Sequence, residues 1–445
     1  MELKRQLGLF TAVLIIIADV IGTGIFMTTG SILGMTGSAP VVLALWGIGG
    51  LVAISGSLCY AELASIWPED GGEYVYLKNI FGFLPSFLTG WISLIVGFSA
   101  SAAITVMTLV WYLNDFFQSG ILAGVWTQKI LASSILFIFG IVHIIGVRRG
   151  GLIQNALTVL KLLIVFSLIA LGFYMADWSN ADRLVQTYPR TEGGNAVEYG
   201  FALMIIMFAY SGWNGLSYIA GEIKNPRRNL PRALFLGSLS VAVIYIALNV
   251  IFLMSTPGTE LMGVKAVGAV AAKNLFGGSV APWFTLSISL ILLSSASVQM
   301  MVGPRVYYAM ARDRMIFRSL ERVNERFGTP YLAILIQMFL AIFYVFIGRE
   351  SIESLLGYMG FSLGIFPLLS VIGLVIMRYR GKAPREGFRT PLFPLVPAVF
   401  ILLTLGMMIT SLITWTKTSL FALGVVAVGI PVFYVWQWMV KKEII

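Results

Sequence analysis

Twelve apolar runs follow one another along the chain, near 8–33, 40–66, 82–113, 127–146, 152–176, 197–220, 232–255, 280–310, 331–347, 355–377, 392–415 and 419–439. A bilayer core takes roughly 20 apolar residues as an α-helix. Inside lipid every backbone N–H and C=O must bond within the protein, which a helix achieves by itself. Composition agrees: 58% of residues are hydrophobic and 11% charged, against roughly 45–50% and about 25% in soluble domains. With a mean hydropathy of +0.90, a water-soluble core has no means of hiding this much apolar surface. The sequence therefore predicts an all-α polytopic membrane protein with 12 transmembrane helices. The first run continues past any A-x-A-like site, so it reads as a retained span and not as a cleaved signal.

A net charge of +10 invites nucleic acid as a partner, but the basic residues lie in short segments between apolar runs, which is the pattern of membrane topology. With the N-terminus in the cytoplasm, 22 of the 30 Lys and Arg residues fall inside. Seven fall outside (Lys129, Arg183, Arg190, Lys265, Lys273, Arg349 and Lys417), and Lys161 lies within a span. The positive-inside rule then predicts a cell (inner or plasma) membrane protein with both termini cytoplasmic. The longest polar connectors, about 177–196 and 311–330, are too short for catalytic domains. One cysteine, Cys59, excludes an intramolecular disulfide, and one histidine, His143, argues against a metal site. No cofactor and no cluster of acids, bases or nucleophiles for a membrane enzyme is expected.

The first span reads Ala18-Asp19-Val20-Ile21-Gly22-Thr23-Gly24-Ile25-Phe26, and the sixth Phe208-Ala209-Tyr210-Ser211-Gly212-Trp213-Asn214. Small residues in a span commonly serve close helix packing. Glycine and small polar residues also weaken a helix, and here they do so at similar depth in the first members of two five-helix halves. Matched interruptions of that kind point to the midplane site of a secondary transporter. An unwound segment frees N–H groups suited to a carboxylate and C=O groups suited to an ammonium. A zwitterionic α-amino acid carries both.

With these breaks, four stretches occur in order: Ile21-Gly22-Thr23-Gly24-Ile25-Phe26; Tyr60-Ala61-Glu62-Leu63 with Gly71-Gly72-Glu73-Tyr74-Val75-Tyr76; Phe208 to Asn214; and Glu222-Ile223-Lys224-Asn225-Pro226-Arg227-Arg228-Asn229-Leu230-Pro231-Arg232-Ala233. Over roughly 8–330 the sequence resembles the amino acid–polyamine–organocation (APC) superfamily, particularly its L-type amino-acid transporter branch and prokaryotic relatives. The resemblance implies a leucine-transporter type fold. Two inverted five-helix repeats would occupy 1–176 and 177–390, with two C-terminal helices in 391–445. It implies a substrate site of Val20, Ile21, Gly22, Thr23, Gly24, Phe208, Ala209, Ser211, Gly212 and Asn214. In it, Thr23 and Gly24 hold the carboxylate, the carbonyls of Val20, Phe208 and Ser211 take the amine, and Phe208 gates the outer side. Animal L-type carriers pair with a glycoprotein through a cysteine after the third span. Residues 114–126 contain none, so no disulfide-linked heavy chain is expected, and a monomer or homodimer is.

Lys161 lies about a third of the way into the fifth span, where a lysine often snorkels to the interface. The resemblance implies instead that its ammonium occupies the space of a sodium ion, near Ser294, Ser295 and Ser297. Asp19 departs from the family's neutral residue and is costly at this depth unless paired or protonated. It is expected to pair with Lys161, to carry a proton, or to bind a second positive charge on the substrate. Glu62 and Glu222 are expected to pair with arginines, and the 312–326 stretch to meet anionic lipid. Met300, Met301 and most Trp and Tyr residues are read as lipid-facing or interfacial. Ser99, Ser101, Asn214 and Tyr358 are candidates for side-chain selectivity. Together these features predict a secondary active transporter of amino acids working by alternating access. It would be sodium-independent, an exchanger or proton-coupled symporter, with neutral L-amino acids favoured. Cationic amino acids or polyamines bound through Asp19, or a non-cycling sensor of the same fold, are the alternatives.

Overall fold

The computed structural model describes residues 3–117, 120, 122–189, 196–264, 266–347, 352–384 and 386–442, without the side chains of 281, 352–360 and 362–363. Arg190, Lys265, Arg349 and Arg385, used in the charge comparison, lie outside the described residues, as does the side chain of Tyr358. Among the described residues the architecture is helical, with isolated bridges such as Leu7 to Ile223 and Asp70 to Ile219 in place of strands.

Among the described residues, nine helices are long and apolar enough to cross a membrane: Leu9–Met27, Ala39–Ile66, Phe83–Phe117, Val125–Ile144, Val147–Met175, Pro226–Ser255, Pro282–Arg312, Leu395–Thr414 and Thr416–Lys441. The chain is thus a multi-pass membrane protein. Of the other three runs expected to span, two fall on the shorter apolar helices Ala196–Ala209 and Tyr331–Ile347, and the third falls on the helix Ile352–Tyr379. The run at 197–220 is shortened because its helix stops at Ala209 and resumes as tight turns at Gly215–Tyr218 and Ala220–Glu222. A further helix, Val267–Phe276, lies in a stretch read from sequence as a connector. The third span carries a π-helical segment at Ser93–Gly97 that its apolar pattern does not announce.

The first span breaks where the glycines sit. Leu9–Val20 ends at Ile21, whose ψ of 94° leaves the helical region, and the chain resumes at Gly24–Met27. Gly24 faces Ala209 so closely that a Cβ there would collide with it. Small residues therefore hold the two broken helices in contact. Gly212 takes φ +102°, a conformation that glycine adopts without the steric cost other residues meet.

Many residues read as lipid-facing are core. Met300 and Met301 are buried, as are Trp46, Tyr60, Tyr74, Tyr76, Tyr210, Tyr245 and Tyr307. The rings pack edge-on around the breaks, with Trp46 against Tyr245 and Tyr60 against Trp213. In a bundle of this size the inner helices contact only protein, so an aromatic on an apolar run is as easily a core residue as an interfacial one.

Candidate functional site

A cavity of about 150 Å³ lies beside the second break. Asp19, Phe208, Ser211, Gly212, Asn214 and Ser101 are among the residues lining it, together with Glu73, Phe98, Tyr218, Gln299 and a cluster of Met and Phe side chains. Of the expected substrate residues, Val20, Ile21, Gly22, Thr23, Gly24 and Ala209 lie outside that wall. Ser99 is buried away from it. The two breaks nonetheless meet: the Tyr245 hydroxyl lies 2.7 Å from Val20 O and 2.9 Å from Ala209 O, carbonyls at the ends of both half-helices. With one proton, the hydroxyl donates to one of them at a time.

Behind the first break stands Lys161, fully buried. Its Nζ donates to Ala18 O at 2.8 Å, Ile21 O at 2.6 Å and Ser295 Oγ at 2.8 Å. These two carbonyls are among those a helix leaves without partners where it stops. An ammonium has three donors, and here each has an acceptor. The side chain runs into the bundle, so the snorkelling geometry is not found. Ser295 Oγ itself lies 2.9 Å from Ile21 O, tying the Ala281–Val302 helix to the same break. Ser294 and Ser297 do not join it: Ser294 Oγ bonds Gln154 and Thr158, and Ser297 Oγ bonds His143. The three serines project in different directions because successive helix positions are 100° apart.

Asp19 makes no ion pair with Lys161 and takes no hydrogen bond among the described residues. Its side chain instead lies against Gly212 and Gly215, where a Cβ would strike it. A second carboxylate, Glu73, shares the cavity wall and is held by Tyr60 Oη at 2.8 Å, by Asn214 Nδ2 and by the Tyr218 hydroxyl. No Lys, Arg or His side chain lines the cavity among the described residues. Glu73 and Tyr245 are not among the residues expected at the site. Both carried a signal, a carboxylate after paired glycines and a tyrosine midway along an apolar span.

Glu62 and Glu222 pair with arginines, as expected. Arg378 grips Glu62 with two nitrogens, at 2.8 and 2.6 Å, and Arg305 Nε donates to Glu222 Oε1 at 2.7 Å. Among the described residues no group of His, Cys, Asp and Glu has the make-up of a metal site.

A sequence model described as amino acid permease matches residues 7–438. The chain is 30% identical to the b(0,+)-type amino acid transporter 1 of Mus musculus, covering 98% of this chain and 90% of that protein. It is 29% identical to the serine/threonine exchanger SteT of Bacillus subtilis over 97% of each. It is 28% identical to the Asc-type amino acid transporter 1 of Mus musculus, covering 97% of this chain and 81% of the relative.

Proposed function

Since this chain belongs to the amino acid permease family, a family of membrane transporters and not enzymes, we propose that it carries amino acids by alternating access without sodium. The observation that carries the sodium-independent part is the three-acceptor seat of Lys161. A sodium ion would bring one positive charge to freed carbonyls and a hydroxyl, and an ammonium brings the same charge. The two broken helices supply the substrate's partners, N–H groups at Thr23 and Gly24 for the carboxylate and carbonyls near Val20, Phe208 and Ser211 for the amine. Phe208, on the cavity wall, closes over the ligand.

In this reading the helices Ala196–Ala209, Tyr331–Ile347 and Ile352–Tyr379 complete twelve spans in two inverted repeats, 1–176 and 177–390, followed by 391–445. The excess of basic residues inside puts both termini in the cytoplasm. Exchange is the favoured mode, supported by the bacterial relative that is an exchanger, and proton symport is the alternative. The protein works without a disulfide-linked heavy chain.

Neutral L-amino acids are the class favoured by the L-type resemblance. A second reading, cationic amino acids, draws support from the cavity wall: two carboxylates, Asp19 and Glu73, and no basic side chain among the described residues. Glu73 has three donors, whereas Asp19 has none among the described residues and would meet a substrate's second positive charge.

Uptake of a labelled amino-acid panel into proteoliposomes tests all of this, with and without sodium, a pH gradient and internal amino acid. Uptake that is indifferent to sodium and stimulated by internal amino acid is expected. Strict sodium dependence would overturn the role of Lys161. Absence of uptake and binding across the panel would overturn amino-acid transport itself.

A further inference from the structure

At the end of the bundle that carries the N-terminal segment, three stretches are laced by backbone hydrogen bonds. Glu222 O accepts from the N–H groups of Gln6 and Leu7 at 2.8 and 3.0 Å, Lys224 N–H donates to Leu7 O at 2.8 Å, and Gly71 N–H donates to Tyr218 O at 2.9 Å. Two carboxyls, Asp70 and Glu222, belong to this seam. Glu222 is fully buried, and its Oε1 accepts from Arg305 Nε. Its Oε2 is buried with no hydrogen-bond partner among the described residues. Asp70 Oδ1 accepts from Gly221 N–H at 3.0 Å, while Oδ2 takes no hydrogen bond from any described residue. The Asp70 carboxyl lies against Gly221, where a Cβ would collide with it, one residue before Glu222.

Each carboxyl thus has one oxygen engaged and one spare: the spare oxygen of Glu222 is sealed from solvent, whereas Asp70 is half-buried. A buried carboxylate oxygen without a donor is costly, and two like charges side by side cannot both stay ionised cheaply. We propose that this seam is a proton-binding site, with one proton held between Asp70 Oδ2 and Glu222 Oε2 while residues 6–7, 70–71 and 219–224 are joined. When the seam parts, the O–H bond breaks and the proton passes to water.

The charged groups facing Asp70 are Glu222, on the Ala220–Glu222 turn, and Arg305 and Arg312, on the Pro304–Arg312 helix. Burial first and Glu222 second push Asp70 up to about 8, against the weaker pull of Arg305, the Gly221 N–H and Arg312. In an opened, hydrated seam Asp70 returns to the ordinary value of about 4. Closure therefore takes up a proton between these limits. Its advantage is complete below about pH 4, declines by at most about tenfold per pH unit as pH rises toward about 8, and then levels off.

The test does not depend on which substrate is carried. A bimane fluorophore on the Gln6→Cys variant of the full chain, in detergent or liposomes, reports opening through quenching by iodide; Cys59 is buried. Quenching should rise several-fold between pH 5 and 8 and change little from 8 to 9. Asp70→Asn, whose amide donates to Glu222 without titrating, should flatten the curve. Where Asp70→Asn fails to fold, Glu222→Gln serves, because removing that charge should lower the midpoint. A profile unchanged by the variant measured, or a flat profile in the unsubstituted seam, would overturn the proposal.

Discussion

The back and the front of the first helix break are built differently. At the back, Lys161 is sealed from solvent with an acceptor for each of its three donors. At the front, Asp19 lines a cavity with no donor among the described residues, next in sequence to Ala18 and two residues before Ile21, whose carbonyls Lys161 holds. A buried charge whose partners are all present is a fixed part of the scaffold. One left without partners suits an interaction that comes and goes. On the proposed function, the back sustains the break and the front meets the ligand.

The sharpest way to break the comparison is Lys161→Ala. It leaves two carbonyls and a hydroxyl without their donor, at about 1–3 kcal/mol for each buried group, and transport is expected to fall about 100-fold or more. Lys273→Ala, at an exposed position, should leave uptake near the unsubstituted rate. Equal, mild losses in both would remove the special standing of the back. Next in size, Asp19→Asn keeps the shape of the cavity wall and removes its unpaired charge. On the cationic reading, uptake of arginine or lysine should drop about tenfold relative to a neutral amino acid, the scale of one lost charged contact. A parallel fall in both classes would assign Asp19 to the scaffold after all. The smallest effect is expected from Ser295→Ala, which removes one of the three acceptors while two carbonyls still hold the ammonium. A loss of about 1 kcal/mol, roughly fivefold in transport rate, is the expectation. A loss as large as that of Lys161→Ala would mean that the hydroxyl, not the lysine, organises the break.

Much of this site was legible in sequence because its signals are local. Gly22 and Gly24 weaken the helix in which they sit, and the chain leaves helical geometry at Ile21. Gly212 marks the second interruption in the same way and takes a backbone angle that few other residues adopt. Lys161 was noticed because a lysine among leucines is conspicuous. Choosing between its snorkelling and inward orientations needed the positions of Ala18, Ile21 and Ser295, which lie 143, 140 and 134 residues away along the chain. The expectation that Ser294 and Ser297 share that seat failed for a related reason. Sequence adjacency on a helix does not mean a shared direction, and three neighbouring serines serve three different networks.

The apolar runs by themselves determined that the chain lives in lipid as helices, since hydropathy and run length depend only on residues close together in sequence. Only the tertiary structure decided which aromatic and methionine side chains are core and which polar groups share the cavity. It alone showed that Glu73 is bound by Tyr60, Asn214 and Tyr218, whereas Asp19 is left open. Each of those facts is a meeting between distant segments. Close packing and the pairing of buried polar groups set such meetings, and no spacing along the chain records them.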